Sequence, residues 1–205
     1  MSGIIAQNSG RHTGLVKAAS GGGDAIWNLI ETLTASSDAT LDFTSGIDST
    51  YDEYVFKFIN IHPATDHVDF SFNLSSDSGS NYNVTKTTTS FLTYQNEGGS
   101  ETWFDYNTGG DLAQGTGVQI FNGGGKVGGD NDHALVGFMH LFAPSDTTFV
   151  KHFIAEVQFV QSDGDYSQHQ FVAGYANTTS VVDAVQFAMS ADEIDSGTIS
   201  LYGIS

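Results

Sequence analysis

The sequence predicts an all-β protein: an antiparallel β-sandwich of jelly-roll or lectin-like type with an extended N-terminal arm. Three observations predict it. The 205 residues include 15 Phe, 8 Tyr and 2 Trp against only 3 Met, with Thr and Val abundant beside them, and aromatic and β-branched side chains suit a pleated, half-buried surface. From Asp24 onward the apolar residues recur with a period close to two, the period of a strand with one covered face. The stretches between these runs are built from Gly, Asn, Asp and Ser, with 24 Gly but only 2 Pro in the whole chain, which is tight-turn chemistry. A chain of this length fills one core, so two parts are expected: a docking arm with a glycine hinge over 1–23 and a single sandwich domain over 24–205.

The arm comes first. Ile4, Ile5, Leu15 and Val16 are scattered among Gly, Ser, Asn and Gln without strand or helix periodicity, and Gly21, Gly22 and Gly23 form the hinge. Such a segment buries too little apolar surface to offset its own ordering entropy. A terminus of this kind is ordered only when something ties it down, so the expectation is docking against a partner or a symmetry mate. Ile4, Ile5, Leu15 and Val16 are the expected apolar anchors, with Arg11 and Lys17 as charged ones.

In the body, HVDFSFNL at 67–74 sets Val68, Phe70, Phe72 and Leu74 on one face and Asp69, Ser71 and Asn73 on the other, predicting a strand with one wet face. YVFKFINI at 54–61 is apolar on both faces and predicts a central strand. Further strand-like runs lie at 29–34, 40–44, 84–94, 102–106, 117–121, 134–142, 149–160, 169–175, 181–189 and 198–204. The count is roughly ten strands at sandwich spacing. Turn clusters separate them at 75–81, 96–101, 122–132 and 161–168, while SADEIDSG at 190–197 reads as one helical turn or a tight loop. No internal repeat appears, so a propeller or solenoid is not expected.

Charge narrows the function. The formal net charge is −18; residues 1–23 carry Arg11, Lys17 and no acid, which leaves four Lys against 24 acids, or −20, on the body. A surface this acidic repels phosphate backbones and anionic lipid, so neither nucleic-acid binding nor membrane insertion is expected. With no cysteine there is no disulfide framework, thiolate metal site or thiol nucleophile. No apolar run has the length of a signal peptide or a membrane span, so a soluble protein is expected.

Motifs for chemistry are weak. Among the seven His, the positions 62, 67, 133, 140, 152 and 169 have no zinc-site spacing within one element. Asp130, Asn131 and Asp132, and again Asp163 and Asp165, cluster oxygen ligands without the run an EF-hand loop requires. Neither a metal nor a cofactor is therefore expected. Glu31, Glu97, Glu101 and Glu156 sit in or beside strands, where a spatial pair could serve glycoside hydrolysis, but no nucleophile elbow, HExxH pair, phosphate loop or dinucleotide fingerprint occurs. The glycines around Lys126 lack the Gly-Lys-Ser/Thr ending of a phosphate loop and read as a surface loop. A non-enzyme is expected. Trp103 and Tyr106 are the candidate ligand-binding residues, since aromatic faces beside carboxylates and amides hold sugars. The alternation of Trp103 with Asp105 equally fits an ordinary strand with Trp103 in the core, and that is the favoured reading.

Several stretches carry a family resemblance: NSGRHTGLVKAASGGG at 8–23, AIWNLIETLTAS, FTSGIDSTYDEYVFKFINIHPATD, GSNYNVT, DLAQGTG, HLFAPSDTTFVKHFIA, FVAGYANTTSVVDAVQF and the closing DSGTISLYGIS. Together they resemble a group of tail-fibre or virion structural proteins of marine phages, including those of cyanobacteria. The likeness runs over nearly the whole chain. It implies a non-enzymatic virion surface component, attached to phage capsid or tail proteins by its arm and commonly homotrimeric, with no catalytic residue to carry over. The alternative expectation is an adhesin module that binds a receptor or a host surface glycan.

Overall fold

Alternation of apolar and polar side chains becomes twelve strands among the described residues: β1 (Trp27–Asp38), β2 (Leu41–Phe43), β3 (Glu53–Pro63), β4 (Phe70–Ser75), β5 (Lys86–Asn96), β6 (Thr102–Tyr106), β7 (Gln119–Ile120), β8 (Leu135–Phe142), β9 (Lys151–Gln161), β10 (Tyr166–Ala176), β11 (Ala184–Met189) and β12 (Ile194–Ile204). The computed structural model describes residues 26–164 and 166–205. The expected docking residues Ile4, Ile5, Arg11, Leu15, Val16 and Lys17 lie outside them.

The strands form two antiparallel sheets, one of eight strands in the order β1-β12-β3-β8-β9-β10-β5-β6 and one of four in the order β2-β11-β4-β7. Eight of these strands trace a jelly roll. β1 pairs with β12, β2 with β11, β3 with β8 and β4 with β7, the two arms of one long hairpin with alternate pairs in opposite sheets. Pairing of β12 with β3 and of β11 with β4 then joins each sheet, as in double Greek-key sandwiches. The other four strands are two inserted hairpins. β5–β6 enters between β4 and β7, β9–β10 between β8 and β11, and they extend the larger sheet beyond β8 in the order β9-β10-β5-β6.

Between the sheets lies a core of interlocked Phe rings. Phe56 and Phe58 of β3 meet Phe187 of β11 at centroid separations of 5.3 Å each, and Phe72 of β4 meets Phe153 of β9 edge-on at 5.2 Å. Each such ring removes enough apolar surface from water to contribute about 2–3 kcal/mol, and edge-to-face contacts add to that. The strand expected to be apolar on both faces, 54–61, runs inside the large sheet as β3, where even the outward Val55 is buried.

Three expectations are corrected. The face of 67–74 expected to be wet is covered, for Asp69, Ser71 and Asn73 are all buried. Loops and a neighbouring strand supply their partners: Asn73 Nδ2 donates to the carbonyls of Tyr82 and Thr116, Ser71 Oγ to the Ala188 carbonyl of β11, and the Lys126 ammonium pairs with the Asp69 carboxylate. The glycine stretch around Lys126 is not a free surface loop either. A methyl on Gly124 would lie 1.8 Å from Leu92 Cδ2, and one on Gly125 2.3 Å from Gln168 Oε1, so these glycines let the loop press flat against the inner side of β5 and β10. Finally, strands number twelve among the described residues rather than roughly ten: every expected run carries one, with the short β2 inside 40–44 and β7 inside 117–121. Residues 190–193 are a tight loop leading into β12, with Asp192 in the left-handed region at φ 60°.

Candidate interaction surface

The extension leaves one face of β8, β9, β10, β5 and β6 with no sheet over it. Register identifies its residues: Phe138 of β8 lies opposite Glu156 of β9, which lies opposite Phe171 of β10, then Phe91 of β5 and Tyr106 of β6. The row beside it runs through His140, Ile154, Ala173 and Thr89, and the row on the other side includes Gln158, His169, Thr93 and Phe104. Phe91 and Phe171 stack at 4.7 Å, Phe104 leans on Phe91 at 5.8 Å, and the His169 ring rests against Phe171 at 4.2 Å. Aromatic and imidazole rings from β8, β10, β5 and β6 thus form a band across this face, with Glu156 and Ile154 of β9 between them.

Glu156 is the one acid that register puts on this face of the five strands, and it lies 3.6 Å from His169 Nε2. His140 is paired with Glu53 of the neighbouring β3. On a chain of charge −18, a face this poor in acids and rich in rings has the composition of an interface centre, where charge is depleted and aromatics are enriched.

A depression of about 450 Å³ opens on this face, lined by Thr87, Thr89, His152, Ile154, Ala173 and Tyr175. Its floor is low because Ala173 stands between larger neighbours. His152 is shared with a second hollow of about 560 Å³ bordered by Phe142, Asp146, Thr148, Phe149 and Thr179, so the two form one groove. Phe149, at 68% exposure the more open ring of this end, is held rather than loose. Asp146 accepts hydrogen bonds from the backbone N–H groups of Thr148 and Phe149, which hold its carboxyl below the usual range. The buried Lys151 ammonium donates to the carbonyls of Asp146, Phe149 and Thr178, and its burial lowers its pKa.

Trp103 is 53% exposed and Tyr106 46% exposed, so the favoured core position for Trp103 is corrected. β6 is an edge strand, and all five of its residues are exposed among the described residues. The two candidate ligand-binding residues also sit on opposite faces: Tyr106 shares the banded face with Phe104, whereas Trp103 and Asp105 point the other way. Tyr106 is tied by its hydroxyl, 2.7 Å from Asp111 Oδ2, a bond that raises its pKa.

The acids and histidines fall into separate places. Glu101 accepts from the Tyr166 hydroxyl at 2.6 Å, Glu97 borders a small hollow with Gln95 and Ser167, Glu31 lies at the β1 bulge and Glu156 on the band. His62 and His133, by contrast, line one polar hollow of about 320 Å³ together with Asn60, Asn131 and Asp195. It sits where β12 and β3 slip in register. Sequence spacing gave no hint of that meeting, which depends on pairing between strands far apart in the chain. Among the described residues, no group of three or more His, Asp or Glu converges where a metal ion could sit.

No family model matches the chain, and no curated protein does. Among solved structures it resembles a structural-genomics protein of unknown function from Bacteroides ovatus, at 9% identity and a TM-score of 0.19 over 67% of this chain. The match spans 44% of that protein, and likeness at this level carries no argument for fold or function.

Proposed function

We propose that the chain is a non-enzymatic structural surface protein of a bacteriophage particle, attached by its N-terminal arm and presenting the jelly roll outward. The observation that carries this reading is the acid-poor aromatic band on the outer face of the large sheet. Monomeric soluble proteins rarely leave so continuous an apolar surface open to water, and such patches mark contact sites. Its position on an extension of the jelly roll, away from the core between the sheets, is that of a surface built for contact. Jelly rolls occur in capsid and lectin domains, in keeping with the resemblance to phage virion proteins, although a fold by itself assigns no task. The test is a phage encoding the chain without residues 1–20. The shortened protein is expected to fold and to be lost from gradient-purified particles; undiminished incorporation contradicts attachment through the arm.

A second reading is favoured by the groove. Thr87, Thr89, His152 and Tyr175 set hydroxyl and ring-nitrogen groups around an apolar floor, the mixture that fits a sugar ring's polar edge and apolar face. In this reading the outward face is a glycan-binding adhesin surface. A glycan array probed with the wild type and with Ala173→Trp distinguishes the two: signals present in the first and lost in the second favour the adhesin, and silence in both removes it.

A further inference from the structure

Sheet edges are where strands of other chains add, and proteins protect them. The four edges of this fold are treated unequally. β2 and β7, the edges of the small sheet, are only three and two residues long. β1, one edge of the large sheet, is broken by a register shift between Leu29 and Glu31. β6, the other edge, has none of these devices: five regular residues, Thr102-Trp103-Phe104-Asp105-Tyr106, all exposed, without Pro, Lys or a bulge.

The backbone of β6 is set to accept a strand. Asn107 N–H donates to the Ser90 carbonyl and Asn96 N–H to the Glu101 carbonyl, so residues 101, 103, 105 and 107 turn their hydrogen-bonding groups toward β5. In an antiparallel ladder the alternate residues then turn theirs away. Thr102, Phe104 and Tyr106 therefore aim their N–H and C=O groups at the open edge. The Tyr106 N–H is meanwhile held by the Asp105 side chain at 2.8 Å.

We infer that β6 pairs antiparallel with the β6 of a second copy of this chain, about a two-fold axis at Phe104. The register follows from strand length and charge: an axis at Thr102 or Tyr106 pairs most of β6 with residues beyond its ends. A two-fold at Trp103 sets Asp105 across from Glu101 of the other copy, and one at Asp105 sets the two Asp105 carboxylates face to face. Like charges directly opposite are destabilising. With the axis at Phe104, Asp105 faces Trp103, Glu101 faces Asn107 and Thr102 faces Tyr106, and no like charges meet. The two Phe104 rings meet on the axis and join the Phe171–Phe91–Phe104 band of one copy to that of the other. The interface is isologous, as two-fold contacts are, and it makes one continuous sheet from two eight-stranded ones. It rests on the strand alone and stands whether or not the chain is a particle component.

The chain has no cysteine, which makes a cross-linking test clean. Phe104→Cys is expected to form a disulfide-linked species of twice 21.8 kDa on mild oxidation, because Cα atoms of a directly opposed hydrogen-bonded pair lie about 5.5 Å apart, within disulfide reach. Thr102→Cys is expected to give none, since four residues of offset hold the two sites roughly 13 Å apart. In light scattering of the full chain, with salt enough to screen its net charge, the wild type is a dimer and Phe104→Pro a monomer. Proline at 104 removes only an outward N–H and leaves the β5 ladder intact. A monomeric or trimeric wild type, a dimer that survives Phe104→Pro, or equal cross-linking at 102 and 104 overturns the pairing.

Discussion

Phe91 of β5 and Phe171 of β10 stack with centroids 4.7 Å apart and planes 13° from parallel, on a sheet face over which no other strand lies among the described residues. Core rings in this protein meet mainly across the two sheets. These two meet side by side on the outside, and they anchor a band running from Phe138 to Tyr106.

Filling the groove should abolish contact without disturbing the fold. Ala173 faces outward in the middle of β10, so Ala173→Trp adds bulk to the floor of the depression while the core side of the strand is untouched. Melting is expected to stay within about 2 °C of the wild type, as for a surface change worth less than ~0.5 kcal/mol. Adsorption of particles carrying the variant to host cells is expected to fall at least tenfold. Unchanged adsorption shows that the groove is not used.

Lys126 should prove structural. Its ammonium pairs with Asp69, whose carboxylate is buried. Lys126→Ala strands that charge and is expected to cost about 3 kcal/mol, whereas the double change Lys126→Met with Asp69→Asn, which removes both charges, should recover most of it. Urea unfolding of the wild type, the single changes Lys126→Met and Asp69→Asn, and the double change measures the coupling. A loss of under ~0.5 kcal/mol in Lys126→Ala would show an exposed pair of little consequence.

Stability should rise in mild alkali because of Lys86. Its side chain is fully buried, donating to Asn73 Oδ1 and the Val84 carbonyl, and burial lowers its pKa from the ordinary 10.5 to about 8. Between those values the unfolded chain holds a proton that the folded chain has released. Folding therefore strengthens as pH rises through the window, and the cost is full below pH 8, on the order of 3 kcal/mol. Tyr82, raised to about 12 mainly by burial, acts with the opposite sign above pH 10. It is common to the wild type and Lys86→Met, so it cancels in their difference. That difference should shrink from pH 8 to pH 10; parallel pH profiles would contradict the assignment.

Gly137 should tolerate no side chain. At φ 157° in β8, a methyl there would lie 2.1 Å from the Glu156 carbonyl oxygen of β9. The neighbour is backbone within the ladder that carries the extension. Gly137→Ala is expected to cost about 3 kcal/mol or more, read as a fall in the urea midpoint, with Phe104 and Phe171 losing their ordered environment in NMR spectra.

Much of the fold was legible because strand periodicity is local. The run 102–106 matches β6 residue for residue, and 134–142 matches β8 within one residue. Pairing was not legible, since β1 meets β12 across nearly the whole chain and no local pattern records that. The same limit explains the errors over Asp69, Ser71 and Asn73 and over Trp103. Alternation separates two faces but does not say which face another part of the chain will cover. Loops covered the polar face of β4, whereas the aromatic strand β6 stays exposed among the described residues. The outer band was hidden for a related reason: periodicity does not say which strands adjoin, and only the register sets Phe91, Phe138 and Phe171 on one face.

The proposed role, a jelly roll presented on the outside of a phage particle, is tested most directly by averaged electron-microscopic images of intact particles purified from lysates in which this chain is expressed. The account predicts density matching the two-sheet domain on the particle exterior in multiple copies, with residues 1–23 leading into the shell or tail and the Phe91–Phe171 face open or shared with a second copy. Particles that lack this density, with the chain left in the soluble part of the lysate, would contradict it.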